Sequence, residues 1–112
     1  MKHIIAYIKP HKLDAVTQAL HKIENVTGMS VMEIKGFGRG RQKEEVPLEE
    51  QLSDFVRHLK IEIFCRNTVV EEIVEAIEKA AHTGLRGDGK IYVCQVQNAI
   101  RISSGERGEA AV

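Results

Sequence analysis

Excess charge is the first thing missing from this chain: 16 Lys and Arg balance 16 Asp and Glu, leaving a formal net charge of zero with the five histidines neutral. A mainly electrostatic nucleic-acid binder needs a basic surplus to displace condensed counterions, so the balance argues against that class and leaves room only for a local basic patch. Cysteine is scarce. Cys65 and Cys94 lie in apolar, strand-like runs without CxxC spacing, which argues against a disulfide framework or a zinc site. Long apolar runs are also lacking, since the N-terminal stretch is apolar only from Ile4 to Ile8, between Lys2 and Lys9. That is too short for a signal-peptide core and far too short to cross a bilayer. No repeat or low-complexity segment appears. A soluble, cytoplasmic protein is expected, with neither membrane insertion nor a nucleic-acid partner.

What is present is an ordinary globular composition, 43% hydrophobic and 29% charged, in 112 residues and 12.6 kDa. That length suits one domain over residues 1–112 and is too short for two cores. Lys2 to Lys9 alternates around Ile4, Ala6 and Ile8 and is closed by Pro10, which predicts a strand. Leu13, Val16, Leu20 and Ile23 then share one helical face, ending before Thr27-Gly28. Met29 to Phe37 reads as extended. Leu59, Ile61, Ile63 and Cys65 alternate with Lys60, Glu62 and Phe64, a second clear strand pattern. Thr68 and Glu71 fit a capping box before a helix with the stripe Val70, Ile73, Val74, Ile77 and Ala81, ended by Gly84. Lys90 to Val96 is the last strand. The order is β-α-β, long loop, β-α-β: an α+β, ferredoxin-like split arrangement with a loop over about residues 38–58. Two helices cover one face of four strands, so the other, carrying Ile5, Tyr7, Val31 and Phe64, predicts a homo-oligomer.

The strongest chemical signal is Thr83-Gly-Leu-Arg-Gly-Asp-Gly-Lys90 between helix and strand. Glycines let backbone amides turn inward as an anion site, and Arg86 and Lys90 add positive charge. The order is not that of a Walker A loop, and a plain glycine-rich turn fits the composition equally well. Gly36-Phe-Gly-Arg-Gly-Arg41 and Arg101 are further basic pieces that converging strand ends could gather around one phosphate across a subunit boundary. The histidines, His3, His11, His21, His58 and His82, form no metal-ligand spacing. Ser103-Ser104-Gly105 lacks a nucleophile-elbow context, and Glu44-Glu45, Glu49-Glu50 and Glu71-Glu72 read as solvated charge. No catalytic set emerges.

Taken in order, the segments Ile8-Lys9-Pro10-His11-Lys12-Leu13-Asp14, Thr27-Gly28-Met29-Ser30-Val31, Glu33-Ile34-Lys35-Gly36-Phe37-Gly38-Arg39, Lys60-Ile61-Glu62-Ile63, Thr83-Gly84, Gly87-Asp88-Gly89-Lys90-Ile91, Ile100-Arg101-Ile102 and Gly105-Glu106 resemble the PII signal-transduction family. The resemblance covers nearly the whole chain. It implies a non-enzymatic regulator: a trimer of ferredoxin-like subunits with ATP or ADP, and Mg²⁺ where the family holds it, in each inter-subunit cleft. By matching motif, Gly87, Asp88, Gly89 and Lys90 would hold the phosphates, Arg101 would reach them, Thr83 and Glu62 would serve the adenosine side, and Phe64 would also belong to the nucleotide site. Gly36, Gly38 and Arg39 would line the cleft at the root of the long loop. That loop, with Arg41, Gln42, Glu44, Glu45, Glu49, Glu50 and Gln51, would dock on a membrane transporter or enzyme. Its middle is acidic and its root basic, which suits a basic patch on the partner.

The chain departs from the family pattern at four places. The loop has no tyrosine, Gln51 standing near the usual position, so uridylylation is not expected. Gly40 replaces a glutamine that helps hold Mg²⁺ and 2-oxoglutarate, and Gln42 could substitute only if the backbone shifts. His58 replaces a lysine that pairs with 2-oxoglutarate, and a neutral imidazole is a poorer partner for a dicarboxylate. Ser103 stands where a second phosphate-binding arginine is common, which weakens selection for a γ-phosphate. These changes predict retained adenine-nucleotide binding, a reduced preference for ATP over ADP or AMP, and weakened 2-oxoglutarate sensing. They suggest a divergent branch of the kind associated with bicarbonate handling or metal-efflux transporters. The alternatives are a trimeric divalent-metal tolerance protein of related fold, motivated by the histidines, and slow nucleotide hydrolysis in the cleft.

Overall fold

Strand β1 (Lys2–Ile8) buries every second residue: Ile4, Ala6 and Ile8 are sealed, while His3, Ile5 and Tyr7 point to the opposite face. Strand β3 (Val56–Cys65) repeats the pattern with Leu59, Ile61, Ile63 and Cys65. The two pair antiparallel, Ile4 against Ile63 and Ala6 against Ile61, so both buried rows meet on one side of the sheet. Helix α1 (Leu13–His21) lays Val16 and Leu20 on that side, and helix α2 (Val70–Ala81) adds Val70, Ile73, Ile77 and Ala81. Strands β2 (Ser30–Gly36) and β4 (Lys90–Gln95) complete an antiparallel sheet in the order β2-β3-β1-β4. The computed structural model describes residues 1–36 and 56–112.

This is the expected α+β, split β-α-β-β-α-β architecture. Each β-α-β unit leaves a gap in its parallel strand pair, and the other unit's first strand fills it. Beyond residue 9 the chain turns through Pro10–Lys12, where the fixed φ of Pro10 starts a short helical turn leading into α1.

Several local expectations need correction. The composition predicts a loop to about residue 58, but β3 starts at Val56, because Gly36 and Val56 continue the β2–β3 ladder. The capping box does not form: Thr68 lies within the helical turn Asn67–Val69, and α2 starts at Val70 without a side-chain cap. The backbone satisfies the turn itself, Val69 N–H donating to the Arg66 carbonyl at 3.2 Å. Nor does Gly84 terminate α2. The helix stops at Ala81, and the His82 N–H donates to the Glu78 carbonyl at 3.1 Å.

Val31 was expected on the open face with Ile5, Tyr7 and Phe64. It pairs with Ile61, whose side chain is in the core, and so belongs to the helix side. It is nevertheless 39% exposed, as Val93 on the opposite edge is 46% exposed. The helices seal only the two central strands and leave β2 and β4 largely exposed, with Ile91 of β4 partly buried against the core. The open face proper carries Ile5, Tyr7 and Phe64 together with Met32, Ile34 and Tyr92.

Ile61→Ala removes a sealed side chain where both rows meet and should cost about 2–5 kcal/mol in denaturant unfolding, whereas Val31→Ala at the wet edge should cost under about 1 kcal/mol.

Candidate functional site

The residues between α2 and β4 fold around one carboxylate. Asp88 Oδ2 accepts the backbone N–H of Thr83 at 2.8 Å and that of Gly84 at 3.1 Å, while the Thr83 hydroxyl donates to Oδ1. The same hydroxyl accepts the Leu85 N–H and the Lys9 ammonium, at 3.1 and 3.2 Å. Lys9 Nζ also lies 3.2 Å from Asp88 Oδ1, and His82 Nδ1 stands 3.6 Å from Oδ2. Partial desolvation pushes the Asp88 carboxyl up. The hydrogen bonds from the Thr83 hydroxyl and N–H, from Lys9 and from the Gly84 N–H outweigh it and hold the group well below the usual carboxylate range.

Two glycines make this turn possible. Gly87 takes φ +81°, in the left-handed region. Gly89, at φ +101°, lies so close to β1 that a Cβ there would come within 1.7 Å of the Tyr7 carbonyl oxygen. With Asp88 turned inward and compensated by Lys9, the outer surface of the turn carries glycine backbone together with the exposed Leu85, Arg86 and Lys90. A cleft of about 390 Å³ opens beside it, floored by Ile8, Ile77 and Ile91 and rimmed by His82 and Lys90.

The structure brings together Thr83, Gly87, Asp88, Gly89 and Lys90, and adds Lys9. The sequence carried a signal for Lys9 in Ile8-Lys9-Pro10, where a cation ends the first strand, but its partner was not readable. His58 also joins this end of the molecule, its Nε2 donating to the Gly87 carbonyl at 3.1 Å.

Glu62 and Phe64 belong elsewhere on the open face. Glu62 accepts from Lys60 Nζ at 3.1 Å and from His3 Nε2 at 3.0 Å, and Phe64 stacks on the His3 ring with centroids 4.3 Å apart. The Lys60 hydrogen bond, helped by His3, holds the Glu62 carboxyl below its ordinary value against the opposing effect of desolvation. Register gives the separation. Lys90 lies opposite Tyr7, Glu62 opposite Ile5 and Phe64 opposite His3, so Phe64 sits about 13 Å along β1 from Lys90.

Arg101 is at the far end too. Beyond β4 the Val96 N–H binds the Met1 carbonyl, and the following segment folds back through an Ile100–Arg107 bridge beside Arg66, whose guanidinium donates to the Glu109 carbonyl at 3.4 Å. Arg101 Nη1 lies 3.8 Å from Glu106 there. Gly36 closes β2 opposite Val56. Gly38, Arg39, Arg41, Gln42, Glu44, Glu45, Glu49, Glu50 and Gln51 lie outside the described residues.

Residues 1–106 match the family model of nitrogen regulatory protein P-II. This chain belongs to the P-II family. It is 46% identical to the nitrogen regulatory protein P-II of Azospirillum brasilense, 48% to that of Rhodospirillum rubrum and 45% to nitrogen regulatory protein P-II 1 of Escherichia coli, each over the full length of both chains. It is therefore a P-II regulatory signal-transduction protein rather than an enzyme. Membership favours this identity over a metal-tolerance protein, and no group of three or more His, Cys, Asp or Glu among the described residues is arranged to hold a metal. No helix among them is long and apolar enough to cross a membrane.

Because the folded Asp88 carboxyl titrates below its unfolded value, its contribution to stability is present above about pH 4 and is lost as the pH falls below that. The melting temperature of Asp88→Asn should lie below wild type at pH 7, with the gap shrinking steadily between pH 4 and pH 2.

Proposed function

We propose that this P-II protein binds an adenine nucleotide, ATP or ADP, in clefts between copies of itself in a homotrimer, and that occupancy sets how residues 37–55 dock on a membrane transporter or enzyme. One observation carries this reading. The anion-suited turn with Lys90 lies at one end of the sheet, whereas Phe64 and Arg101 lie at the other end of the same chain. A single protomer does not gather both into one cleft, but the turn of one copy set against the far end of the next can. The apolar open face and the wet edge strands give such copies a surface to bury.

In this assignment Gly87, Gly89 and Lys90 take the phosphates, with Asp88 and Thr83 holding the turn in shape. Arg101, Glu62 and Phe64 of a neighbour complete the site. Gly36, Gly38 and Arg39 border it at the root of the 37–55 connection. Arg41, Gln42, Glu44, Glu45, Glu49, Glu50 and Gln51 face the partner, where an acidic middle calls for a basic patch. Mg²⁺ would accompany a triphosphate, but Gly40, His58 and Ser103 argue for weak 2-oxoglutarate sensing and little preference for ATP over ADP. The only tyrosines, Tyr7 and Tyr92, lie in β1 and β4, so control by uridylylation is not part of this proposal.

Calorimetry with ATP, ADP and AMP should show saturable binding by an oligomer whose mass in sedimentation is three times that of the chain. Lys90→Ala should weaken binding at least about tenfold without lowering the melting temperature, through loss of a charge-assisted contact. A monomer, or folded protein that binds no adenylate at millimolar concentration, overturns the proposal.

A further inference from the structure

We infer that His58 is a positioning residue that ties the phosphate-suited turn to the strand ends from which residues 37–55 depart, so that each reports the state of the other. The inference rests on the nucleotide-site reading above and adds to it a route of communication.

The geometry is specific. His58 lies in β3 opposite Ile34, two residues into the strand that begins at Val56. Its ring is bonded to the backbone of the turn and stands near the end of β2. Nε2 donates to the Gly87 carbonyl at 3.1 Å, and Nδ1 lies beside Gly36, where a Cβ would come within 3.9 Å of it. Gly36 is the last residue of β2, Val56 is its partner, and Gly87 sits in the turn that reaches toward an anion. A carbonyl accepts only, so Nε2 must carry the proton, which fixes the ring orientation.

This hydrogen bond bears on the anion site through peptide geometry. The Gly87 carbonyl and the Asp88 N–H belong to one planar peptide unit, so holding the carbonyl toward His58 orients that N–H on the opposite side. Gly87, at φ +81°, stands where the backbone would otherwise rotate freely. Anchoring its carbonyl restricts that rotation. An anion that draws the turn outward must therefore pull on His58 or break its bond. His58 is itself a rung of the β2–β3 ladder opposite Ile34, two residues from the Gly36–Val56 pair, so either event is felt at the end of that ladder.

The test uses three variants and two readouts. His58→Gln keeps an N–H donor at a similar reach, while His58→Ala and His58→Leu remove it. ADP affinity by calorimetry should fall about fivefold in His58→Ala and His58→Leu and stay within about twofold of wild type in His58→Gln. By NMR, saturating ADP should move the backbone amide signals of Ile34, Gly36 and Val56 in wild type and His58→Gln. Those movements should vanish in the two variants without a donor, while the signals of Gly87 and Gly89 still respond. If His58→Ala binds ADP as wild type does and its Gly36 and Val56 signals still move, His58 carries no coupling, although the nucleotide site stands. Wild-type protein that binds no ADP overturns both.

Discussion

The turn between α2 and β4 depends on one charge placed at its centre. Asp88 supplies the acceptors that Thr83 and Gly84 lose when α2 stops, and Lys9 compensates the carboxylate from the end of β1. An uncompensated acid here would repel a phosphate. A compensated one acts as internal scaffolding and leaves the outward backbone free to donate. The first strand, the second helix and the last strand are thus joined at one point, and Lys9, which compensates Asp88 there, comes from a segment more than seventy residues away in sequence.

Around that point the fold divides its labour. β1 and β3 are sealed on one face by two helices, which gives the sheet a rigid centre. β2 and β4 are largely exposed, and they carry the pieces that face outward: the root of the 37–55 connection on one edge, Lys90 on the other. A rigid middle with exposed margins suits a regulator, whose readout has to be sensed by other molecules rather than performed as chemistry on a substrate.

Much of this was legible beforehand, and the physical reasons are clear. Alternation in β1 and β3 was unambiguous because both strands are buried on one face only, so Ile4 to Ile8 and Leu59 to Cys65 carry a clean period of two. The stripe of α2 was readable for the same reason. The facing of Val31 is not legible because β2 is an edge strand with little burial on either side, and its pattern does not say which way a residue points. The capping box at Thr68 failed because a short backbone turn satisfied the same donors first. At the candidate site, the glycine turn was visible as composition, but the roles within it were not. That Asp88 faces inward, that Lys9 meets it and that His58 reaches Gly87 all depend on long-range register, which no local spacing encodes. The far placement of Phe64 and Arg101 follows from strand direction alone.

The approach of Gly89 to the Tyr7 carbonyl has a mechanical corollary. With room for a hydrogen and nothing larger, the chain at this residue rests directly on the first strand and acts as a fulcrum. Whatever tugs on the turn cannot push it deeper into the sheet. The load falls instead on the side-chain contacts that hold the turn, Asp88 with Thr83 and Lys9 on one side and His58 on the Gly87 carbonyl on the other.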